Sequence, residues 1–200
     1  LCHLYTGESL AEKIIDGLRE YCYIGEKPPD LKELFPDGGD VIGLLEEALI
    51  KMPSRDDPNT ILTALDQAAE LLRQIYTNFR SLEELDRFTQ QYGKTHPWAY
   101  EDLVRAYAKK KDWQKVFFWA NQGLSSKTSK KKARNAILAD YKAQAAQKLG
   151  DPVALSALWE AFDSEASLER YLALRKATKA QGQWDNYYPC LIQRLTHNVS

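Results

Sequence analysis

The chain of 200 residues predicts an all-α fold built from stacked helical hairpins, and three observations carry that expectation. Apolar residues recur at helical spacing along most of its length, and no stretch shows the sustained alternation of a half-buried strand. Candidate caps (Ser, Asp) and stops (Gly, Pro) bracket those periodic stretches at the lengths of ordinary helices. Residues 98–124, WAYEDLVRAYAKKKDWQKVFFWANQGL, read as two short amphipathic helices folded back on each other. Tyr100, Leu103, Val104 and Tyr107 share one face of the first, and a polar Lys109–Asp112 stretch supplies the turn. Trp113, Val116, Phe117, Ala120 and Leu124 repeat the spacing in the second. A hairpin of this kind cannot bury its apolar face alone and needs similar neighbours.

About ten helices follow in order. Leu10–Tyr23 carries a stripe of Leu10, Ile14, Ile15, Leu18 and Cys22, with Ser9 and Glu12 set as a capping box. Prolines 28, 29 and 36 and glycines 38 and 39 confine the next segment to loop around a short turn at Leu31–Phe35. Asp40 is positioned to cap a helix through Met52. Asp57 precedes Pro58, which suits the first position of a helix, where its missing N–H costs nothing. That helix holds Leu62, Leu65, Ala69, Leu72, Ile75, Tyr76 and Phe79 on one stripe. Ser81 and Glu84 form a second capping box, opening a helix to Tyr92 before Gly93. After the 98–124 hairpin and a Ser125–Lys130 loop, helices are expected at Ala133–Leu149, from Asp151-Pro152 to Phe162, at Ser167–Gln181 and at Gln183–Leu195. Gly150 and Gly182 act as stops.

Composition places the chain among water-soluble globular proteins, 44% hydrophobic and 28% charged, with a core of adequate size. No run of apolar residues is long enough for a membrane span. The opening LCHLYTGESL lacks a basic region followed by an apolar one, so no signal peptide is read there. A first residue of Leu1 rather than Met reads as a piece of a longer protein. Three cysteines (Cys2, Cys22, Cys190) do not make a disulfide framework and suit a reducing cytoplasm, with Cys22 and Cys190 expected as small buried hydrophobes. The formal net charge of −1 is unevenly spread: residues 1–96 are acidic and residues 97–200 basic. Two parts are therefore expected, an N-terminal helical portion (1–96) packed on a helical array (97–200). The asymmetry fits either an acidic partner for the basic part or attraction between the two parts.

The turns KKKDW (109–113), KLGDP (148–152) and AQGQW (180–184) align with Lys111, Gly150 and Gly182 in equivalent places, 39 and 32 residues apart. Those spacings bracket the period of about 34 of a tetratricopeptide repeat, and the hairpins resemble that family. Tyr100 stands at the family's Trp, Leu103 at its Leu, Tyr107 at its Tyr, and Asp112-Trp113 at its Asp-aromatic pair. Val116 and Gly123 depart from its alanines. Tyr171, Leu174, Gly182 and Trp184 repeat the pattern, with Tyr187 at a position the family keeps small. The resemblance implies a right-handed α-solenoid over about half the chain. A fainter one, over roughly 133–195, is to the helical tail downstream of bacterial SWIM-type zinc fingers: Trp159–Phe162, Ser167–Glu169, Tyr171 and Leu174-Arg175. The zinc motif itself is absent, and Cys2-His3, being adjacent, supplies no ligand pair.

No catalytic constellation is visible. His3, His96 and His197 form no metal-ligand pair, no phosphate-binding glycine loop occurs, and the adjacent acidic pairs read as solvated or capping groups, so neither enzyme activity nor a cofactor is expected. Lys127, Lys130, Lys131, Lys132 and Arg134 form a basic run that would suit nucleic-acid phosphates, or else a solvated loop. Trp113, Trp119, Trp159 and Trp184 are expected between helices, with Trp98 partly exposed. In the tetratricopeptide resemblance the first helix of each hairpin lines a concave groove. That implies a partner-binding set of Trp98, Glu101, Arg105, Lys109, Asp140, Gln144, Lys176 and Lys179. The set is net positive and suits an acidic or carboxylate-terminated peptide, although it does not reproduce the family's carboxylate clamps; an ordinary solvated surface is the other reading. The expected function is a non-catalytic protein–protein interaction scaffold, with a nucleic-acid accessory domain as the alternative.

Overall fold

The computed structural model describes residues 13, 16–18, 28–50, 58–126 and 132–197, with the side chains of 58–66, 132–134 and 197 left aside. Every regular element among the described residues is helical. Ten helices have defined bounds: α1 Leu31–Leu34, α2 Asp40–Ile50, α3 Pro58–Asn78, α4 Leu82–Tyr92, α5 Trp98–Lys109, α6 Trp113–Ser125, α7 Lys132–Leu149, α8 Ala154–Ser164, α9 Leu168–Ala180 and α10 Trp184–His197. Leu10–Tyr23 with its Ser9 cap, Cys2, Cys22, Met52 and Asp57 fall largely or wholly outside the described residues.

Two compact units divide at Leu85/Asp86, inside α4. The charge-based division at 96/97 falls later in the chain. The second half of α4 belongs with α5, because Phe88 stacks on Trp98 and Asp86 accepts a hydrogen bond from the Tyr107 hydroxyl.

In the first unit, α3 packs against α1 and α2. Leu31, Ile42, Leu45, Leu49, Leu71, Leu72 and Ile75 are fully buried. Pro58 opens α3 as its spacing predicts, while Asp40 is the first helical residue of α2 rather than its cap. Glu46 ties α2 to α3: its carboxylate accepts from the Tyr76 hydroxyl and from Arg80 Nε and Nη2, at 3.0 and 2.8 Å for the guanidinium bonds. Burial and the neighbouring carboxylate hold the Tyr76 phenol well above its usual range, so it serves as a permanent donor. The Ser81/Glu84 capping box forms as read, with Ser81 N donating to Glu84 Oε2 (2.7 Å) and Glu84 N donating to Ser81 Oγ (3.2 Å).

In the second unit α6 packs on both α5 and α7, α8 packs on α7 and α9, and α10 packs on α9. Leu103, Val104, Val116, Ala120, Leu138, Ala139, Phe162 and Leu174 form its buried interior. Cys190, expected to be buried, is exposed, because Leu191 is the sole buried residue of α10 among the described side chains. That helix packs against its neighbour along a narrow strip only.

The three aligned turns share one backbone geometry. Lys111, Gly150 and Gly182 all adopt left-handed conformations, with φ of 60°, 66° and 66°. In each, the following residue donates five residues back: Asp112 N to Tyr107 O (3.1 Å), Asp151 N to Ala146 O (2.9 Å) and Gln183 N to Thr178 O (2.8 Å). This is the Schellman closure of a helix C-terminus, and it satisfies carbonyls the helix leaves open. Each turn leads into a second helix, with Asp112 capping α6 through Lys115 N and Asp151 Oδ1 accepting from Val153 N. Lysine at 111 carries the side-chain penalty of a left-handed residue that glycine avoids. Lys111→Gly is therefore expected to stabilise the chain by about 0.5–1 kcal/mol, and Gly150→Ala or Gly182→Ala to destabilise it by a similar amount. Urea midpoints followed by circular dichroism test the sign. A loss of stability in Lys111→Gly would show that the turns are not energetically equivalent.

Candidate docking groove

A concavity lies within the second unit, where α7 faces the start of α9 with α8 beneath. It has a volume of about 700 Å³. Ala143, Leu158, Ala161 and Ala173 supply an apolar, mostly small-residue floor, which keeps the cleft open where larger side chains would fill it. Asp140, Gln144 and Gln147 come from α7, Glu165 and Ser167 from the α8–α9 connection, and Glu169 and Arg170 from the first turn of α9. Ser167 caps α9 by accepting from Arg170 N (3.2 Å), which fixes the backbone that carries Arg170.

Arg170 organises this groove. Its Nε and Nη2 donate to Asp140 at 2.9 and 2.7 Å, and its Nη1 donates to the Glu165 carbonyl at 2.7 Å and to Glu165 Oε2 at 2.8 Å. Its side chain is only 15% exposed, against 45% for Asp140 and 55% for Glu165. The bonds to Asp140 raise the guanidinium pKa still further, so the charge is fixed at every relevant pH. The pairing spans thirty residues of sequence and links α7 to α9.

A second concavity of about 580 Å³ lies between α4 and α6, lined by Gln90, Gln91, Lys94, Tyr100, Lys115 and Phe118 among others. Phe118 is 52% exposed and meets Trp119 edge-on. At its edge Lys115 Nζ donates to the Tyr107 hydroxyl at 2.9 Å, and that hydroxyl donates to Asp86. Burial and the Asp86 bond raise the Tyr107 pKa, so this phenol is a structural donor rather than an activated base.

Of the eight groove residues implied by the repeat register, Asp140 and Gln144 line the larger cavity. Trp98 does not join a groove: it is 3% exposed, stacked on Phe88 with ring centroids 5.5 Å apart and edge-on to His96. Its burial at the start of α5, against Phe88 of the preceding helix, corrects the expectation of partial exposure. Arg105 and Glu101 pair with each other at 2.7 Å along one helix, and Lys109 is exposed in the last turn of α5. Lys176 is exposed outside the cavity lining, while Lys179 Nζ sits 5.7 Å from the Trp184 ring centroid. Lys127, Lys130 and Lys131 lie outside the described residues, and Lys132 and Arg134 belong to the first turn of α7 with side chains left aside.

His96 packs among Phe88, Tyr92 and Trp98, with ring centroids 5.6–6.5 Å away, and burial lowers its pKa. A histidine whose folded pKa lies below its unfolded value of about 6.5 binds fewer protons folded than unfolded in that range. Its stabilising share is complete above that value and is lost as pH falls through the lower folded pKa. Stability is expected to drop more steeply as pH falls below about 6.5 in the natural chain than in His96→Gln. Parallel slopes in chemical denaturation would remove His96 from this account.

No group of three or more His, Cys, Asp or Glu residues suited to a metal ion occurs among the described residues. Nor, among them, is any helix long and apolar enough to cross a membrane. No protein-family model, no curated protein and no solved structure matches the chain.

Proposed function

We propose that residues 86–200 act as a non-catalytic protein–protein interaction scaffold, binding a peptide or protein segment in the groove between α7 and α9. The reading also takes the array as a degenerate, tetratricopeptide-like right-handed solenoid, supported by three hairpin turns with the same backbone closure. The observation that carries the docking assignment is the open groove itself. Its small-residue floor and polar rim, in which Arg170, Asp140 and Glu165 hold one another in place, are the usual composition of a peptide site, with apolar area for affinity and a few placed hydrogen-bonding groups for selection. Gln144 gives the direct test, being exposed and part of the lining. A photo-crosslinking amino acid at position 144 is expected to trap a discrete partner from lysate, whereas one at Gln122, in the smaller cavity, is not. Equal labelling at both positions, or none at 144, would contradict the assignment.

A further inference from the structure

We infer that the α7–α9 groove selects a basic segment, one presenting a Lys or Arg side chain, rather than the acidic peptide that the charge of the array suggests. The inference rests on the docking reading above and names the chemistry of its occupant. Three carboxylates, Asp140, Glu165 and Glu169, line the cavity against a single cation, Arg170. That cation is committed, since Nε, Nη1 and Nη2 all donate to Asp140 or Glu165. An incoming carboxylate would find no unpaired guanidinium there and would approach three like charges. Lys176 and Lys179, the cations expected to attract it, lie outside the lining.

Acceptors, by contrast, remain. An ionised carboxylate has about four lone-pair sites. Arg170 uses one oxygen of Glu165, and Glu169 is exposed without an ion-pair partner among the described residues. Gln144 and Gln147 add side-chain carbonyls. The grip of Asp140 on Arg170 shows how a carboxylate of this groove takes a guanidinium, with both oxygens engaged. The alanine floor fits the methylene stem of a long cationic side chain, which lies along apolar surface while its head stays among acceptors.

Selection of random dodecapeptides displayed on phage against the complete chain tests this, followed by fluorescence anisotropy of the enriched peptides. The expected consensus carries Lys or Arg. Its affinity is expected to fall roughly fivefold in Glu169→Gln and roughly tenfold in the Glu165→Gln, Glu169→Gln double variant, and to weaken as salt rises. Glu169 is exposed, so its replacement leaves the fold intact by circular dichroism and isolates the charge effect. Gln144→Trp, which fills the groove, is expected to abolish binding. Enriched peptides that are acidic or uncharged, yet blocked by Gln144→Trp, would overturn the basic-segment inference and leave the docking reading standing. Peptides indifferent to Gln144→Trp, or no enrichment at all, would overturn both.

Discussion

Gly93→Ala is expected to lower the stability of the chain by about 2–3 kcal/mol, one of the largest effects of any single methyl group in this protein. A Cβ at this position would stand 2.5 Å from the Thr89 carbonyl oxygen and 2.6 Å from Cζ of Tyr100. Neither atom can yield cheaply. The carbonyl accepts the hydrogen bond that closes α4, from Gly93 N itself at 2.9 Å, and the Tyr100 ring is held from its other end by Gly123. A Cβ on Gly123 would meet Leu138 Cδ1 at 2.7 Å and Tyr100 Cβ at 3.0 Å. Tyr100 thus rests between two glycines, one on each side, and the missing methyls are the space it occupies. Gly123→Ala gains helix propensity of about 1 kcal/mol, which partly offsets its clash, so the smaller net loss belongs there. With about 2–4 °C of melting temperature per kcal/mol, Gly93→Ala is expected to melt roughly 4–12 °C lower. Tyr100→Leu, which shortens the side chain, should reduce the cost of Gly93→Ala in a double-mutant cycle. A neutral Gly93→Ala would mean that α4 and α5 meet differently.

Arg170→Ala is expected to cost about 1–2 kcal/mol and to loosen α9 from α7. Charge-assisted bonds to buried partners are worth more, but Asp140 and Glu165 are each about half exposed and can rehydrate once the guanidinium is gone, which discounts the loss. The fork geometry gives a sharper test than the magnitude. Two donors on one plane meet the two oxygens of Asp140, and a lysine ammonium cannot reproduce that while also reaching the Glu165 carbonyl. Arg170→Lys should therefore keep the charge yet recover less than half of the stability lost in Arg170→Ala. Full rescue by lysine would reduce the cluster to a nonspecific charge contact.

The all-helical character of the chain was legible because helical periodicity and capping chemistry are local. Ser81 with Glu84 and Gly150 with Gly182 state their roles within a few residues, and the structure shows both. Lys111 was legible in position though not in conformation: alignment with two glycines places it, and only the backbone reveals the strain it bears. The groove was half legible. Asp140 and Gln144 follow from the repeat register, but Arg170 and Glu165 do not, because the bond joining α7 to α9 connects residues thirty apart with no short-range pattern to announce it. The burial of Trp98 escapes a local reading for a related reason. It rests on stacking with Phe88, a residue of the preceding helix, as well as on nearby His96. Gly123 looked like a departure from the repeat pattern, and its cause is equally non-local, the bulk of Tyr100. Cys190 is exposed because α10 is covered along one strip only, a property of what lies beyond the helix.

The central claim, a docking groove between α7 and α9, is tested most directly by an amide chemical-shift titration of the chain with a selected arginine-bearing peptide. The account predicts that the perturbed amides cluster at 137–147 and 165–173, with the arginine side-chain signals of Arg170 moving as Glu165 takes a second cation. Shifts confined to the cavity around Tyr100, Lys115 and Phe118, or scattered without saturation, would contradict it.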